Sequence, residues 1–173
     1  MTPDVHASPE PKAFVQVPGI IARFLNRATV GVVGTRDAKL VPHVHRVSGW
    51  RVEPDGETIA CSIPEVFVPG LLESLRDNGE VALTIEEIGP HETYQFKGTF
   101  LDAGPCTPAD LKAFEGVRDR FAAVVGAFYR LPDTVTKANT RPPSLVVRFR
   151  VREIFLQTPG PGAGRRIAPP EGR

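Results

Sequence analysis

Arg46 ends the run Pro42-His43-Val44-His45-Arg46, and its planar guanidinium is a fork suited to a phosphate or to the electron-rich edge of a ring system. Ser62 can donate a hydrogen bond to a phosphate oxygen, although a hydroxyl on a strand is more often a tolerated surface group. His43 and His45, two residues apart on an extended segment, project from one face at a spacing able to ligate zinc or iron. No third ligand accompanies them in sequence, so no metal site is expected. Cys61 and Cys106 form neither a disulfide framework nor a zinc motif, and both read as small packing residues. Trp50 and Tyr94 could stack near a ring but on strands are more often core. Arg148, Arg150 and Arg152 read as a solvated row. Gly31 and Gly34 precede no helix, which argues for close strand approach rather than a phosphate loop. No residue stands out as a general base.

The elements that must position these groups are legible from periodicity. Pro18 suits the first turn of a helix carrying Ile20, Ile21, Phe24 and Leu25. A β-branched run over Ala28 to Thr35 predicts a strand, the polar turn Arg36-Asp37-Ala38-Lys39 follows, and Leu40 to Val52 alternates as its partner, with Leu40, Val44, Arg46 and Trp50 on one face. Asp55-Gly56 predicts a turn into a third strand, Thr58 to Ile63. Val68, Leu71, Leu72 and Leu75 have helical spacing that stops at Asn78-Gly79. Val81 to Ile85 and Tyr94 to Phe100 predict a fourth and a fifth strand. Thr107-Pro108-Ala109-Asp110 predicts a capped helix with Leu111, Phe114, Phe121, Val125 and Phe128 in one stripe. Leu145 to Val151 predicts the last strand. The expected fold class is mainly β with flanking helices, a six-stranded antiparallel split β-barrel.

The chain of 173 residues, 41% apolar, suits one domain. Pro and Gly concentrate at its ends, so residues 1–17 are expected as a flexible arm, 18–157 as the folded domain and 158–173 as a Pro/Gly-rich tail. With 21 basic and 20 acidic residues there is no global field to gather nucleic acid or an anionic membrane. No apolar run approaches the roughly 20 residues that span a bilayer. The two unpaired cysteines and an N-terminus without signal-peptide layout predict a cytoplasmic protein.

The order and spacing of these landmarks resemble the pyridoxamine 5'-phosphate oxidase-like FMN-binding split-barrel family. The resemblance rests on Ala28-Thr29-Val30, Val41-Pro42, Asp55-Gly56, Leu71-Leu72-Glu73-Ser74-Leu75-Arg76-Asp77-Asn78 before Val81-Ala82-Leu83, and Tyr94-Gln95-Phe96-Lys97-Gly98. The run from Phe155 to Gly164 resembles a tail of some members. The resemblance implies a homodimer binding FMN and a two-electron oxidoreductase acting on a small molecule. It places His45, Arg46 and Val47 toward the flavin, Cys61, Ser62 and Ile63 at the phosphate and ribityl chain, and Gln95 near the ring. Where the family carries a basic residue after the third strand, Pro64-Glu65-Val66-Phe67-Val68 carries none. Arg46, Lys97 or an arginine of the last strand must then compensate. Some relatives bind haem, which implies a second reading with iron on His43, His45 or His91. A third is a deazaflavin-binding or non-catalytic module.

Overall fold

The computed structural model describes residues 13–138 and 140–169. Its helices are α1 (Gly19–Leu25), α2 (Val68–Asn78), α3 (Pro108–Tyr129) and α4 (Asp133–Ala138). Its strands are β1 (Val30–Arg36), β2 (Pro42–Arg46), β3 (Gly49–Val52), β4 (Thr58–Pro64), β5 (Glu80–Glu87), β6 (Glu92–Pro105), β7 (Pro143–Leu156) and β8 (Arg166–Ala168). All ladders are antiparallel, and the path β2-β1-β5-β6-β7-β4-β3, with β8 added beside β7, makes a curled half-barrel.

The mainly β class with flanking helices is as expected, but the six-stranded barrel is corrected to an eight-stranded sheet whose hydrogen-bonded path ends at β2 and β3 without closing. One cause lies in the stretch expected as a single strand over Leu40 to Val52. The Val47 amide donates to the Gly31 carbonyl on one side, and the next amide, Ser48, donates to Ser62 on the other. Two consecutive residues thus serve different neighbours, and the strand breaks into β2 and β3. Side-chain parity changes at the same bend: Val44 is 64% exposed and Arg46 exposed, whereas Trp50 is buried. The other additional strand, β8, comes from the Pro/Gly-rich tail. Within the expected arm, residues 1–12 lie outside the described residues, while the Val15 amide donates to Val151 and the Val17 amide to Gly56.

Alternation builds the interior. In β1 every second residue is buried, and the same pattern holds over Val81, Leu83 and Ile85 in β5. Phe24, Phe96, Phe149, Ile59, Ile63 and Leu83 fill the centre. Helix α2 ends as expected, with Gly79 at φ 69° and its amide bonded to Leu75. A non-glycine residue in that left-handed cap would be strained.

Helix α3 covers one half of the sheet's outer face. Its start is a reciprocal cap: the Asp110 amide donates to Thr107 Oγ1, and Asp110 Oδ2 accepts from the Thr107 amide at 2.8 Å. The expected apolar stripe is only partly right. The buried side is Asp110, Phe114, Val117, Ala122 and Gly126, while Phe128 is 79% exposed and Leu111 is also exposed. The helix can lie close because β3 offers a glycine beneath it. A Cβ on Gly49 would stand 2.8 Å from both the backbone N and Cα of Phe114. Gly49→Ala is therefore expected to destabilise the fold by about 1–3 kcal/mol, because backbone on both sides must shift. A urea-denaturation midpoint equal to wild type would refute that close packing.

Candidate functional site

The outer face left bare by α3 collects part of the expected site. Cross-strand register aligns Arg46, Val32, Thr84, Gln95 and Phe155 in one row, and Val44, Gly34, Ala82, Lys97 and Glu153 in the next. Neighbouring strands lie about 4.8 Å apart, so Arg46 and Gln95, three strands apart, are separated by roughly 14 Å along the sheet. Gln95 Nε2 donates to Thr84 Oγ1 at 3.1 Å, which holds its amide on the row. Lys97 Nζ sits 4.5 Å from the centre of the Phe155 ring. A shallow trough over Gly34, Ala82, Val44, Arg36 and Lys97 continues the surface.

At the border between this bare face and α3 lies a cleft of about 130 Å³. Thr29, Arg46, Val47 and Ser48 form one wall, Val117 and Phe121 of α3 another, and Pro64, Phe67, Thr140 and Arg141 the rest. Its lining includes two arginines and no carboxylate. The Arg46 guanidinium lies 4.6 Å from the centre of the Phe121 ring, a cation–π contact that orients it without neutralising it. Partial desolvation of its guanidinium lowers the Arg46 pKa from its ordinary value although the residue stays exposed, and no opposing charge restores it. Arg120 shows the same shift for the same reason, and its Nε donates to the Ala28 carbonyl at 3.2 Å, beside the lining residue Thr29. Four arginines of β3 and β7, by contrast, are ion-paired. Arg51 pairs with Glu53 and Asp110, Arg148 with Glu53 and Asp102, Arg150 with Glu57, and Arg152 with Glu80. The row Arg148, Arg150, Arg152, read as solvated, is thus ion-paired.

The other residues expected at the site point elsewhere. Cys61 and Ile63 are fully buried in the sheet interior, and burial pushes the Cys61 thiol up to about 12, so it is neither a thiolate nor exposed to a ligand. Ser62, 2% exposed, faces the opposite side of β4 at the register of Gly49, beneath α3. Val47 is a buried core residue that shows only one flank to the cleft. His45 stacks on Phe67 at 5.0 Å, with Nε2 buried and without a hydrogen-bond partner. Burial, and then the neighbouring His43, lower its pKa, so the ring is neutral at pH 7 and faces the covered side of β2. Arg141 and Arg120 were not singled out by sequence reasoning. Nothing in a Pro-rich link or on a helix face distinguishes an unpaired arginine from a solvated one.

No protein-family model and no curated protein matches the chain. Solved structures do. HupZ of group A Streptococcus is 17% identical over 86% of this chain and 100% of its own, with a TM-score of 0.53. A protein of the pyridoxinephosphate oxidase family from Clostridium acetobutylicum is 14% identical over 86% of this chain and 90% of its own, with a TM-score of 0.49. An FMN-binding protein from Syntrophomonas wolfei is 13% identical over 79% of this chain and 88% of its own, with a TM-score of 0.46. These are likenesses of fold, and at such identities they show the fold alone.

Proposed function

We propose that the chain is a flavoprotein that binds FMN as a homodimer and serves as a two-electron oxidoreductase for a small molecule. The observation that carries this reading is an arginine-lined, carboxylate-free cleft at the end of a bare sheet row that leads to Gln95. Small-molecule pockets commonly enclose ~300–1,000 Å³. A cleft of about 130 Å³ therefore takes one end of such a ligand, and the rest must lie on the open face. Arg46 would hold the phosphate, and Thr84 and Gln95 would border the ring. Val44, 64% exposed, and Val41, 49% exposed, leave apolar surface on the β2 side for a second copy to cover.

When bound, the flavin supplies the hydride chemistry. The chain's own part is to fix the anionic end with guanidinium donors, to hold amide and hydroxyl groups along one row, and to shield that row from water by dimerisation. A proton-transfer residue is not needed for hydride transfer.

Trp50, the sole tryptophan, is buried and packs beside Val47, close behind the cleft wall, so its emission reports on the site. Titration with FMN is expected to quench it saturably. Arg46→Ala is expected to weaken FMN by roughly 10- to 100-fold, the size of a lost charge-assisted hydrogen bond. An unchanged FMN affinity in that variant would remove Arg46 from the phosphate. A monomer on sedimentation, with and without FMN, would end the dimer reading.

A further inference from the structure

The sequence resemblance leaves the phosphate one cation short, because Pro64 to Val68 lacks a basic residue. We infer that the cleft beside α3 is a phosphomonoester site in which Arg141, from the segment before β7, supplies that cation alongside Arg46. The inference deepens the FMN reading and rests on it for the identity of the ligand, but not for the site itself.

Three observations place Arg141 there. It lines the cleft together with Arg46. Its backbone is tied to the bend that carries Arg46: Ser48 Oγ donates to the Arg141 carbonyl at 2.7 Å, across 93 residues of sequence. Among the described residues no carboxylate pairs with Arg141 or with Arg46, whereas Arg51, Arg148 and Arg150 are each ion-paired. Two unmatched guanidinium groups facing one small space repel each other, and a dianion between them removes that cost. Arg120, on α3 between the lining residues Val117 and Phe121, adds positive potential from behind, held by the Ala28 carbonyl.

Size and chemistry select the ligand class. A cavity of about 150 Å³ holds a single benzene ring, so the 130 Å³ here suits one phosphate group and its first carbons, not a ring system. Ser48, Thr29 and Thr140 supply the lining hydroxyls, of which Ser48 already donates to the Arg141 carbonyl and Thr140 to the Lys137 carbonyl. The fork of Arg141 can therefore engage two oxygens of a terminal phosphate while Arg46 takes a third. A neutral ligand end, such as the free hydroxyl of riboflavin, gains nothing from either group. The site thus makes the protein selective for phosphorylated over unphosphorylated ligands.

The test compares FMN, riboflavin and phenyl phosphate by calorimetry on the full chain, with Arg141→Gln, Arg141→Lys and wild type. Arg141→Gln is expected to lose roughly 10- to 100-fold in FMN affinity, with riboflavin affinity unchanged, and Arg141→Lys is expected to recover part of the loss because it keeps the charge without the fork. Thermal melts of the unliganded variants within a degree or two of wild type would establish that folding is intact. If wild type ignores both flavins yet binds phenyl phosphate in an Arg141-dependent way, the site stands and the FMN reading falls. If Arg141→Gln leaves the FMN-to-riboflavin preference as in wild type, or if wild type binds none of the three probes, the phosphate site is overturned.

Discussion

Asp110→Ala is expected to cost about 3–5 kcal/mol of folding stability, the amount lost when one member of a buried ion pair is removed and its partner is left behind. The carboxylate is 0% exposed. It accepts from the Thr107 hydroxyl and amide, closing the α3 cap, and it accepts from Arg51 Nε at 2.9 Å. Arg51 in turn bonds Glu53, which bonds Arg148, which reaches Asp102 at 2.9 Å. One residue therefore joins the helix that walls the cleft to β3, β6 and β7. Burial alone raises the Asp110 pKa, but the Thr107 hydrogen bonds and Arg51 outweigh it and hold the carboxyl below its ordinary value. Because the folded-state pKa is the lower one, the stabilisation is complete above the unfolded value of ~3.9 and is lost as pH falls through the folded value. The gap in urea midpoint between wild type and Asp110→Asn should thus be largest at pH 7 and narrow below about pH 4. A gap independent of pH would show that the group is not ionised in the folded chain.

The same network shows why parts of this molecule are legible in sequence and others are not. The Thr107–Asp110 cap, the Asn78-Gly79 stop and the Asp55-Gly56 turn are written in residues within four positions of one another, and each is present. Asp55 Oδ1, for example, accepts the amides of Glu57 and Thr58, which is how an aspartate makes a turn. Long-range facts do not have such local signs. That Asp110 turns inward toward Arg51 depends on β3 passing beneath α3, so a stripe counted on Leu111, Phe114, Phe121, Val125 and Phe128 captures the buried Phe114 but misses the inward Asp110. Whether Val47 and Ser48 bond to one neighbour or to two is decided by strands distant in sequence, at Gly31 on one side and Ser62 on the other. Arg46 and Gln95 share one outward row because outward positions on paired strands stay in register. Cys61, Ser62 and Ile63 lie off that row, because α3 covers the outer side of β4 and the core fills the inner one. Arg141 is visible only once the chain has folded, since its distinction is the partner it lacks.

Trp50→Ala is expected to remove about 3–5 kcal/mol, in the range of large aromatic truncations in a closed core. Trp50 was ambiguous in sequence between a ring that stacks on a ligand and a ring that packs, and burial with 4% exposure decides for packing. Its indole N–H donates to the Leu25 carbonyl at 3.0 Å, which ties β3 to the end of α1. Its six-membered ring fills the space beneath Gly31, where an added Cβ would stand 2.8 Å from Trp50 Cζ3 and 2.7 Å from Val47 Cγ2. The indole thus backs Val47, whose other flank lines the cleft. Two effects separate on substitution. Trp50→Phe keeps much of the apolar fill but leaves the Leu25 carbonyl without its donor, and is expected to cost about 1–3 kcal/mol. Trp50→Ala adds the cavity. Urea unfolding followed by far-ultraviolet circular dichroism reads both, since the fluorescence probe is gone in each. If Trp50→Ala costs no more than Trp50→Phe, the ring is not packed as described, and the wall behind Val47 is soft enough that the cleft cannot hold its two arginines at a fixed separation.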